Sequence, residues 1–255
     1  MLELQDITKV YNAGTVTEQC LFHHFSLSVE DGQFVTIVGG NGSGKTSLLN
    51  IICGSIPIES GDVLVGGRSI SRMKDYQRYA SMGRVYQAPS AGTAPNLTML
   101  ENLALADNKG RPFGLRRGVD RSRVDFYRAQ LQSLGLGLED KLNVKMGALS
   151  GGQRQAVALL MATMTPLQFL ILDEHTAALD PKTAEIIMAL TDKVVREKHL
   201  TAMMVTHNLR HAAVYGDRIL MMRQGQVVLD RAGAEKAALS MEDLLAMFNQ
   251  LSLAD

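Results

Sequence analysis

The sequence predicts an α/β fold built on a mainly parallel sheet. In the second half of the chain, short apolar runs typical of strands, Phe169–Leu172 and Ala202–Val205, flank a predicted helix over Pro181–Lys198. Ile219–Met222 is a third predicted strand of this half. Val35–Val38 is a run of β-branched residues, which is typical of a strand buried on both faces. Because parallel strands need crossover connections, this strand–helix alternation favours a parallel sheet.

The first 35 residues alternate between apolar and polar positions, a pattern typical of strands with one buried face. One strand region covers Leu2–Val10, and a second covers Phe25–Val29 and is closed by the turn Asp31–Gly32. Val63–Val65 and Val85–Tyr86 predict two further short strands. The N-terminal part of the chain is therefore predicted to be rich in strands.

Residues from about 88 to 148 carry helix signals and almost no strand signals. Glu101–Ala106 and Arg121–Leu134 predict helices on either side of a loop rich in glycine and arginine. This segment is predicted to be an inserted helical subdomain. Near the C-terminus, Ser240 followed three residues later by Asp243 is typical of a helix cap, so a further helix is predicted to begin there.

The charge-free stretch Ala156–Leu172 lies at the short limit of a membrane-spanning helix. Pro166 and Gln168 interrupt it. We therefore predict a buried helix up to about Met164, followed by a buried strand.

The composition excludes several classes of function. Lys plus Arg and Asp plus Glu both number 26, so the formal net charge is zero. A protein that binds nucleic acid, or a membrane through a polybasic segment, normally carries a basic excess. With 46% hydrophobic and 20% charged residues, the chain is predicted to be folded and globular. Two cysteines, Cys20 and Cys53, cannot form a disulfide framework, which favours a reduced, cytosolic setting.

The most specific motif lies directly after the predicted strand Val35–Val38. Residues 39–46 fit G-x-x-x-x-G-K-[ST] between a buried strand and a helix, the phosphate loop of the P-loop NTPases. Its glycines let successive backbone N–H groups point at phosphate oxygens. Lys45 is predicted to neutralise the β- and γ-phosphates, and the Thr46 hydroxyl to bind Mg²⁺. The candidate nucleotide-binding residues here are Gly39, Gly40, Asn41, Gly42, Ser43, Gly44, Lys45 and Thr46.

Two carboxylates, Asp173 and Glu174, directly follow the predicted strand Phe169–Leu172. A buried strand delivers them to the C-terminal edge of the sheet, where α/β proteins bind their ligands. Asp173 is predicted to hold Mg²⁺ through water. Glu174 is predicted to act as the general base for the attacking water, or to orient that water.

Between these two motifs lies Leu149–Gln155, with the sequence Leu-Ser-Gly-Gly-Gln-Arg-Gln. In this heptapeptide the chain resembles the ATP-binding subunits of ABC transporters. Ser150, Gly151 and Gly152 open a helix and offer N–H groups and a hydroxyl to a phosphate. The resemblance implies that these residues and Gln153 contact the γ-phosphate bound by the opposite subunit of a head-to-tail dimer. It also implies the fold: a P-loop NTPase core with a parallel sheet, an N-terminal antiparallel β subdomain and an inserted α-helical subdomain.

The resemblance assigns roles to four further residues. Tyr11 lies where the family has an aromatic residue stacked on adenine. Gln87 matches the glutamine that reaches Mg²⁺ and the water, and Asp180 matches a loop that communicates across the dimer. His207 matches the histidine that contacts the γ-phosphate and holds the water with Glu174. The implied catalytic residues are thus Glu174, His207 and Lys45, and the implied Mg²⁺ ligands are Thr46, Gln87 and Asp173.

Two positions depart from the family pattern. His175 stands where the family usually has proline, and Ala177 stands where it often has serine. Neither change removes a phosphate or metal ligand. His175 does place a titratable group beside Glu174, so an ordinary pH profile is not assumed. The remaining histidines are interpreted as surface or packing residues: His23, His24, His199 and His211.

The resemblance implies an ATP-hydrolysing subunit that powers an ABC transporter, with ATP and Mg²⁺ as cofactors. An importer is predicted because lone ATPase chains are commoner among importers, and the resemblance points to amino acids as the substrate class. The implied partners are a second copy of the chain, an integral-membrane permease and, indirectly, a solute-binding protein, with no nucleic acid. The permease is expected to dock near Ala88–Leu100. The expected location is cytoplasmic, on the inner face of the cell membrane.

The predicted organisation is a single ABC ATPase domain over residues 1–255. The core with its β subdomain covers 1–87 and 149–230, the helical subdomain covers 88–148, and a helical tail covers 231–255.

Two other classes of function stay open at this point. One is an ABC ATPase that acts in repair, translation or cell division, although the neutral charge disfavours nucleic acid and the chain has neither a long coiled coil nor two cassettes. The other is a P-loop kinase for a small molecule. A kinase would leave Leu149–Gln155 unexplained and would form a phosphorylated product instead of free phosphate.

Overall fold

The computed structural model describes residues 1–112, 114–115 and 117–252, with side chains up to residue 250. The strands are β1 (Leu2–Tyr11), β2 (Gln19–Val29), β3 (Phe34–Gly39), β4 (Ser60–Val65), β5 (Arg68–Ser69), β6 (Met82–Val85), β7 (Phe169–Asp173), β8 (Ala202–Val205), β9 (Arg218–Arg223) and β10 (Gln226–Ala232). The helices are α1 (Lys45–Cys53), α2 (Asp75–Tyr79), α3 (Met99–Asp107), α4 (Val124–Gln132), α5 (Gly151–Ala162), α6 (Pro181–Glu197), α7 (Leu209–Val214), α8 (Gly233–Ala237) and α9 (Met241–Ser252).

The N-terminal strands form a four-stranded antiparallel sheet in the order β2-β1-β4-β5. The alternation in the sequence sets its faces, because Leu2, Leu4 and Ile7 are buried in the core whereas Gln5 is exposed. The sheet packs in one hydrophobic cluster with α1. This arrangement places Tyr11, the last residue of β1, beside the start of α1.

The second sheet has six strands in the order β10-β9-β3-β8-β7-β6. The five strands from β9 to β6 run parallel, and β10 pairs antiparallel with β9. The C-terminal edge of this sheet brings together the ends of β3 at Gly39, β7 at Asp173 and β8 at Val205. The predicted α/β fold with a mainly parallel sheet and an N-terminal antiparallel sheet is confirmed.

The strand β10 was not predicted from the sequence. Its residues are mostly exposed at the edge of the sheet, so it lacks the apolar run that marks β3 or β8. It ends at Ala232, so the predicted start of the tail at residue 231 falls within this strand. The short helices α2, α7 and α8, of five or six residues each, were also missed.

The charge-free run Ala156–Leu172 forms part of α5 and most of β7, with a break between them. The helix α5 begins at Gly151, five residues before that run, because Ser150 caps it. The helix predicted over Arg121–Leu134 is a 3₁₀ turn followed by α4. None of the helices in the described residues has the length and apolarity needed to cross a bilayer.

The described part of residues 88–148 contains α3 and α4, which pack with α5 around a cluster that includes Leu103, Tyr127 and Val157. At the C-terminus, α9 buries Leu244 against α7. The boundaries between core, helical subdomain and tail stay a prediction, and residues 253–255 of the predicted tail lie outside the described residues.

Candidate functional site

The phosphate loop connects the end of β3 to the start of α1. Gly44 begins the helix with a φ of 102°, a left-handed conformation that favours glycine. Gly39 lies so close to β9 that a Cβ atom there would be 2.3 Å from the carbonyl oxygen of Met222. The two glycines let the chain turn sharply at the sheet edge and direct the N-terminus of α1 into a cavity.

Lys45 is buried at the base of the loop, with 5% of its surface exposed. Its Nζ donates hydrogen bonds of 2.8 Å to the carbonyl oxygens of Gly39 and Gly40, and it lies 3.3 Å from Ser43 Oγ. Burial lowers the pKa of Lys45, and the negative charge of Glu174 opposes that shift. The ammonium group is therefore held by oxygens of the loop itself, next to the space that a phosphate would fill.

A cavity of about 280 Å³ lies in front of the loop. Its lining comes from both sheets and from the loop: Tyr11, Gln19, Leu21, Asn41, Gly42, Ser43, Gly44, Lys45, Thr46, Ser47, Glu174 and His207. The hydroxyl of Tyr11 donates a hydrogen bond of 3.0 Å to Ser47 Oγ on α1. The Tyr11 ring forms one wall of the cavity, and its stacking on adenine stays a prediction. Gln19, Leu21 and Ser47 were not predicted, and no motif marks them.

Glu174 and His207 face the same cavity from the ends of β7 and β8. Glu174 Oε1 lies 2.6 Å from His207 Nε2, which is hydrogen-bonding distance. The backbone of Glu174 has a φ of 48°, and its N–H donates to the Val205 carbonyl at 2.9 Å. A residue other than glycine is rarely held in this conformation without a structural reason. Here the conformation directs the Glu174 carboxylate towards His207.

Asp173 ends β7, one residue before Glu174, but it does not line the cavity. Its Oδ2 lies 2.6 Å from Nη2 of Arg84 on β6. Carboxylate and hydroxyl oxygens are ligands that Mg²⁺ accepts, so Asp173 together with Thr46 fits this metal. Gln87, the third predicted ligand, follows β6, is exposed and is not part of the lining. Arg84 was missed, and its single signal was a charge within an otherwise uncharged strand.

The start of α5 lies apart from this cavity. Ser150 caps the helix: its Oγ accepts from the Gln153 N–H at 3.3 Å, and its own N–H donates to Gln153 Oε1. Ser150 and Gly151 are exposed, whereas Gly152 is buried against Thr183. None of these residues lines the phosphate cavity. The structure thus leaves this second helix N-terminus open to solvent.

Asp180 is also exposed and lies outside the lining. It caps α6 by accepting a 3.1 Å hydrogen bond from the Thr183 N–H. The hydrogen bond with Thr183 lowers the pKa of Asp180, so the carboxylate stays charged. In this structure the side chain is therefore used as a helix cap.

The interpretation of His175 changes with the structure. The ring is 2% exposed, and its Nε2 lies 3.0 Å from Thr191 Oγ1 on α6. Burial, with a smaller contribution from His211, lowers the pKa of His175 to about 3. The ring is therefore neutral at physiological pH and adds no positive charge beside Glu174 there, while the pH profile of hydrolysis stays a prediction. Of the other histidines, His211 is buried and pairs with Glu185 at 3.3 Å.

Known proteins resemble this chain in both sequence and fold. The sequence pattern of a family described as ABC transporter matches residues 22–177. A tyrosine transport ATP-binding protein of Clostridioides difficile is 43% identical over 248 residues, which are 97% of this chain and 98% of that protein. The phosphonates import ATP-binding protein PhnC of Hyphomonas neptunium is 35% identical over 92% of this chain and 88% of its own length.

Among solved structures, a dimeric ATP-binding cassette in a post-hydrolysis state, bound to ADP and Pi, has a TM-score of 0.76 at 32% identity. The match covers 91% of this chain and 98% of that one. These likenesses extend from the phosphate loop through Leu149–Gln155 and confirm the resemblance drawn from the motifs. The chain therefore belongs to the ABC transporter family, as one of the ATP-binding subunits that hydrolyse ATP to power transport.

Proposed function

We propose that two copies of this chain hydrolyse two Mg·ATP at their shared interface and drive a permease that imports a small solute, with amino acids as the substrate class. One observation carries the proposal. The phosphate loop, Glu174 and His207 already face one cavity, whereas the N-terminus of α5 at Ser150 is complete, exposed and outside that cavity.

Each residue of the cavity has a chemical task in hydrolysis. Lys45 exchanges its hydrogen bonds to the Gly39 and Gly40 carbonyls for the β- and γ-phosphate oxygens. Glu174 accepts the proton of the attacking water, and His207, 2.6 Å away, holds that water and contacts the γ-phosphate.

Thr46 and Asp173 would hold Mg²⁺ through their oxygens, and the side chain of Gln87, which is exposed in this structure, would be the third ligand. When bound, Mg²⁺ neutralises charge on the β- and γ-phosphates. Thr46 lies in the cavity lining, and Asp173 ends β7 directly before Glu174 in the chain.

A head-to-tail dimer explains the exposed end of α5. Because the helix N-terminus carries a partial positive charge and free N–H groups, it favours a phosphate. A phosphate bound in the same chain cannot supply it, since Ser150 and Gly151 do not line that cavity. The similar cassette solved with ADP and Pi is a dimer, which supports the same assembly here.

A groove beside β6, separate from the phosphate cavity, supports the proposal of a permease partner. It has a volume of about 470 Å³ and lies between β6, α3 and α5. The predicted docking segment Ala88–Leu100 contributes one wall, with the small residues Ala91, Gly92 and Ala94. Small apolar walls suit the insertion of a short helix. In this arrangement the chain lies on the inner face of the cell membrane. A solute-binding protein delivers the solute to the permease from the opposite face.

The direction of transport and the substrate class rest on similarity. The relatives named above are a tyrosine transport protein and a phosphonates import protein, and the first is the more similar over nearly the whole chain. An import assay with the co-expressed permease tests the substrate class. Other amino acids should inhibit the uptake of radiolabelled tyrosine. If only phosphonates inhibit that uptake, amino acids are not the substrate class.

The variant Glu174→Gln tests the hydrolytic mechanism. The amide keeps the size of the side chain but cannot accept a proton, so turnover should fall by about 100-fold or more. The variant should still bind ATP, and it should form a dimer on ATP addition that gel filtration with light scattering detects. Glu30→Gln, on an exposed loop, is the matched control and should hydrolyse normally. Near-normal turnover of Glu174→Gln would remove Glu174 from the role of base.

A further inference from the structure

A buried arginine lies directly against the carboxylate that is proposed to hold the metal. Arg84 is on β6, the edge strand that pairs with β7. Its Nη2 lies 2.6 Å from Asp173 Oδ2, and the two side chains are only 8% and 15% exposed. Arg84 Nε is buried and has no hydrogen-bond partner among the described residues. Keeping a guanidinium in such a place is costly, which favours a functional reason for it.

Arg84 also joins the elements that surround the nucleotide. Its Nη1 donates a 2.9 Å hydrogen bond to Asn50 Oδ1 on α1, the helix that starts at the phosphate loop. Its guanidinium lies 4.8 Å from the centre of the Tyr86 ring, one residue before Gln87. One side chain therefore fixes Asp173 relative to α1 and to the segment that carries Gln87.

The two carboxylates at the end of β7 each have basic groups nearby in the nucleotide-free protein. Arg84 lies against Asp173, while Glu174 interacts electrostatically with Lys45 and lies 2.6 Å from His207. A divalent cation alone thus meets a carboxylate whose charge is already neutralised. The phosphates of ATP would add the negative charge that makes metal binding favourable.

We propose that Arg84 is a positioning residue that holds the Asp173 carboxylate and prevents Mg²⁺ from binding there before ATP does. This inference rests on the proposed role of Asp173 as a metal ligand. Because Arg84 contacts Oδ2, the second oxygen Oδ1 stays available to a water of the metal hydration shell. Arg84 thereby makes the metal enter together with the nucleotide.

The test measures Mn²⁺ binding to the nucleotide-free protein by electron paramagnetic resonance. Arg84→Gln removes the charge but keeps a hydrogen-bond donor, and it should bind Mn²⁺ about tenfold more tightly than the unaltered protein. Arg84→Lys keeps the positive charge and should bind Mn²⁺ as weakly as the unaltered protein does. The gain in Mn²⁺ affinity should disappear in the double variant that combines Arg84→Gln with Asp173→Asn. Unchanged Mn²⁺ affinity in Arg84→Gln, or a gain that persists in the double variant, would overturn the proposal.

Two further measurements keep the result decisive. If Arg84→Gln unfolds, Arg84→Met replaces it, since its apolar chain fills the same space and the same gain is expected. Mn²⁺ binding in the presence of ATP, compared between the unaltered protein and Asp173→Asn, tests the metal role separately. Equal affinities there would refute the metal role of Asp173, whereas the nucleotide-free titration alone decides the role of Arg84.

Discussion

The two helix ends that are proposed to bind phosphate share their chemistry but differ in their surroundings. The N-terminus of α1 opens into a cavity where Lys45, Glu174 and His207 are already present. The N-terminus of α5 opens into solvent, and the only side chain at its start, Ser150, is hydrogen-bonded to Gln153 of the same helix. One site is assembled within a single chain, and the other is proposed to be half of a site that a second chain completes.

This difference suggests a physical basis for the proposed coupling between ATP binding and dimer formation. At α1 a phosphate gains a buried lysine and cavity walls, so a single chain can bind the nucleotide. At α5 it gains N–H groups and the helix dipole alone, which are worth little in water. We therefore expect the α5 end to bind only a phosphate that another chain presents, so damage to it should spare nucleotide binding while removing hydrolysis.

The largest expected effect comes from a charge placed at the exposed end. Gly151→Asp adds a carboxylate at the first position of α5, where it suits the helix dipole but repels a phosphate. Turnover should fall by about 100-fold. ATP affinity of the single chain, measured by calorimetry, should stay within about twofold, because Gly151 does not line the cavity.

Gly151→Asn is the matched control for this variant. Both replacements bring a Cβ atom to 3.3 Å from Leu179 Cδ2, so the difference between them isolates the charge. Asn should retain most of the turnover that Asp loses. Equal losses in the two variants would mean that the Leu179 contact, and not a phosphate, limits this position.

The two helix ends also differ in how far the sequence predicts them. Local patterns specify both, because a glycine loop before Lys45 and a capping serine before Gly151 need no distant contacts. The sequence also predicts the strands that carry Glu174 and His207 to one edge, since each is a short buried run. At that edge the structure places Glu174 Oε1 and His207 Nε2 2.6 Å apart, while the water that they are predicted to hold together stays a prediction.

What the sequence does not predict depends on contacts between elements that are distant in the chain. The contact between Arg84 and Asp173 joins residues 89 positions apart, and neither residue type marks the other. Likewise, the sequence places His175 beside Glu174 as a titratable group, but only its packing against α6 shows that it is buried. Burial reverses the interpretation, because desolvation favours the neutral ring.

His175 connects the end of β7, which carries Glu174, to α6, the helix that Asp180 caps. Its buried ring predicts how the free energy of unfolding depends on pH. Its pKa is about 3 in the folded protein and about 6.5 when unfolded, so the unfolded chain binds the extra proton. This contribution to stability is complete above pH 6.5 and is lost as the pH falls towards 3. Between pH 7 and pH 5 the loss should be about 2 kcal/mol.

Urea unfolding at the two pH values measures this effect. His175→Gln can still donate to Thr191 but does not titrate, so its stability should fall by about 2 kcal/mol less over the same interval. His211 and Glu185 are present in both proteins and cancel in the comparison. Identical pH dependence in the two proteins would show that the ring takes up a proton while folded.

The smallest expected effect lies at the outer wall of the assembled site. Tyr11→Ala removes a ring that is proposed to stack on adenine, so ATP affinity should fall about fivefold. Affinity for tripolyphosphate, which has no base, should not change, because Lys45 and the loop bind the phosphates without Tyr11.

Tyr11→Phe keeps the ring and loses only the 3.0 Å hydrogen bond to Ser47, so it separates stacking from the support of α1. If stacking matters, Phe should bind ATP within about twofold of tyrosine, and Ala should be weaker. If Phe is as weak as Ala, and both also lose tripolyphosphate affinity, the hydroxyl acts by holding α1 in place. In that case even the assembled half of the site depends on the N-terminal sheet for its shape, and Tyr11 belongs to the phosphate site instead of to base recognition.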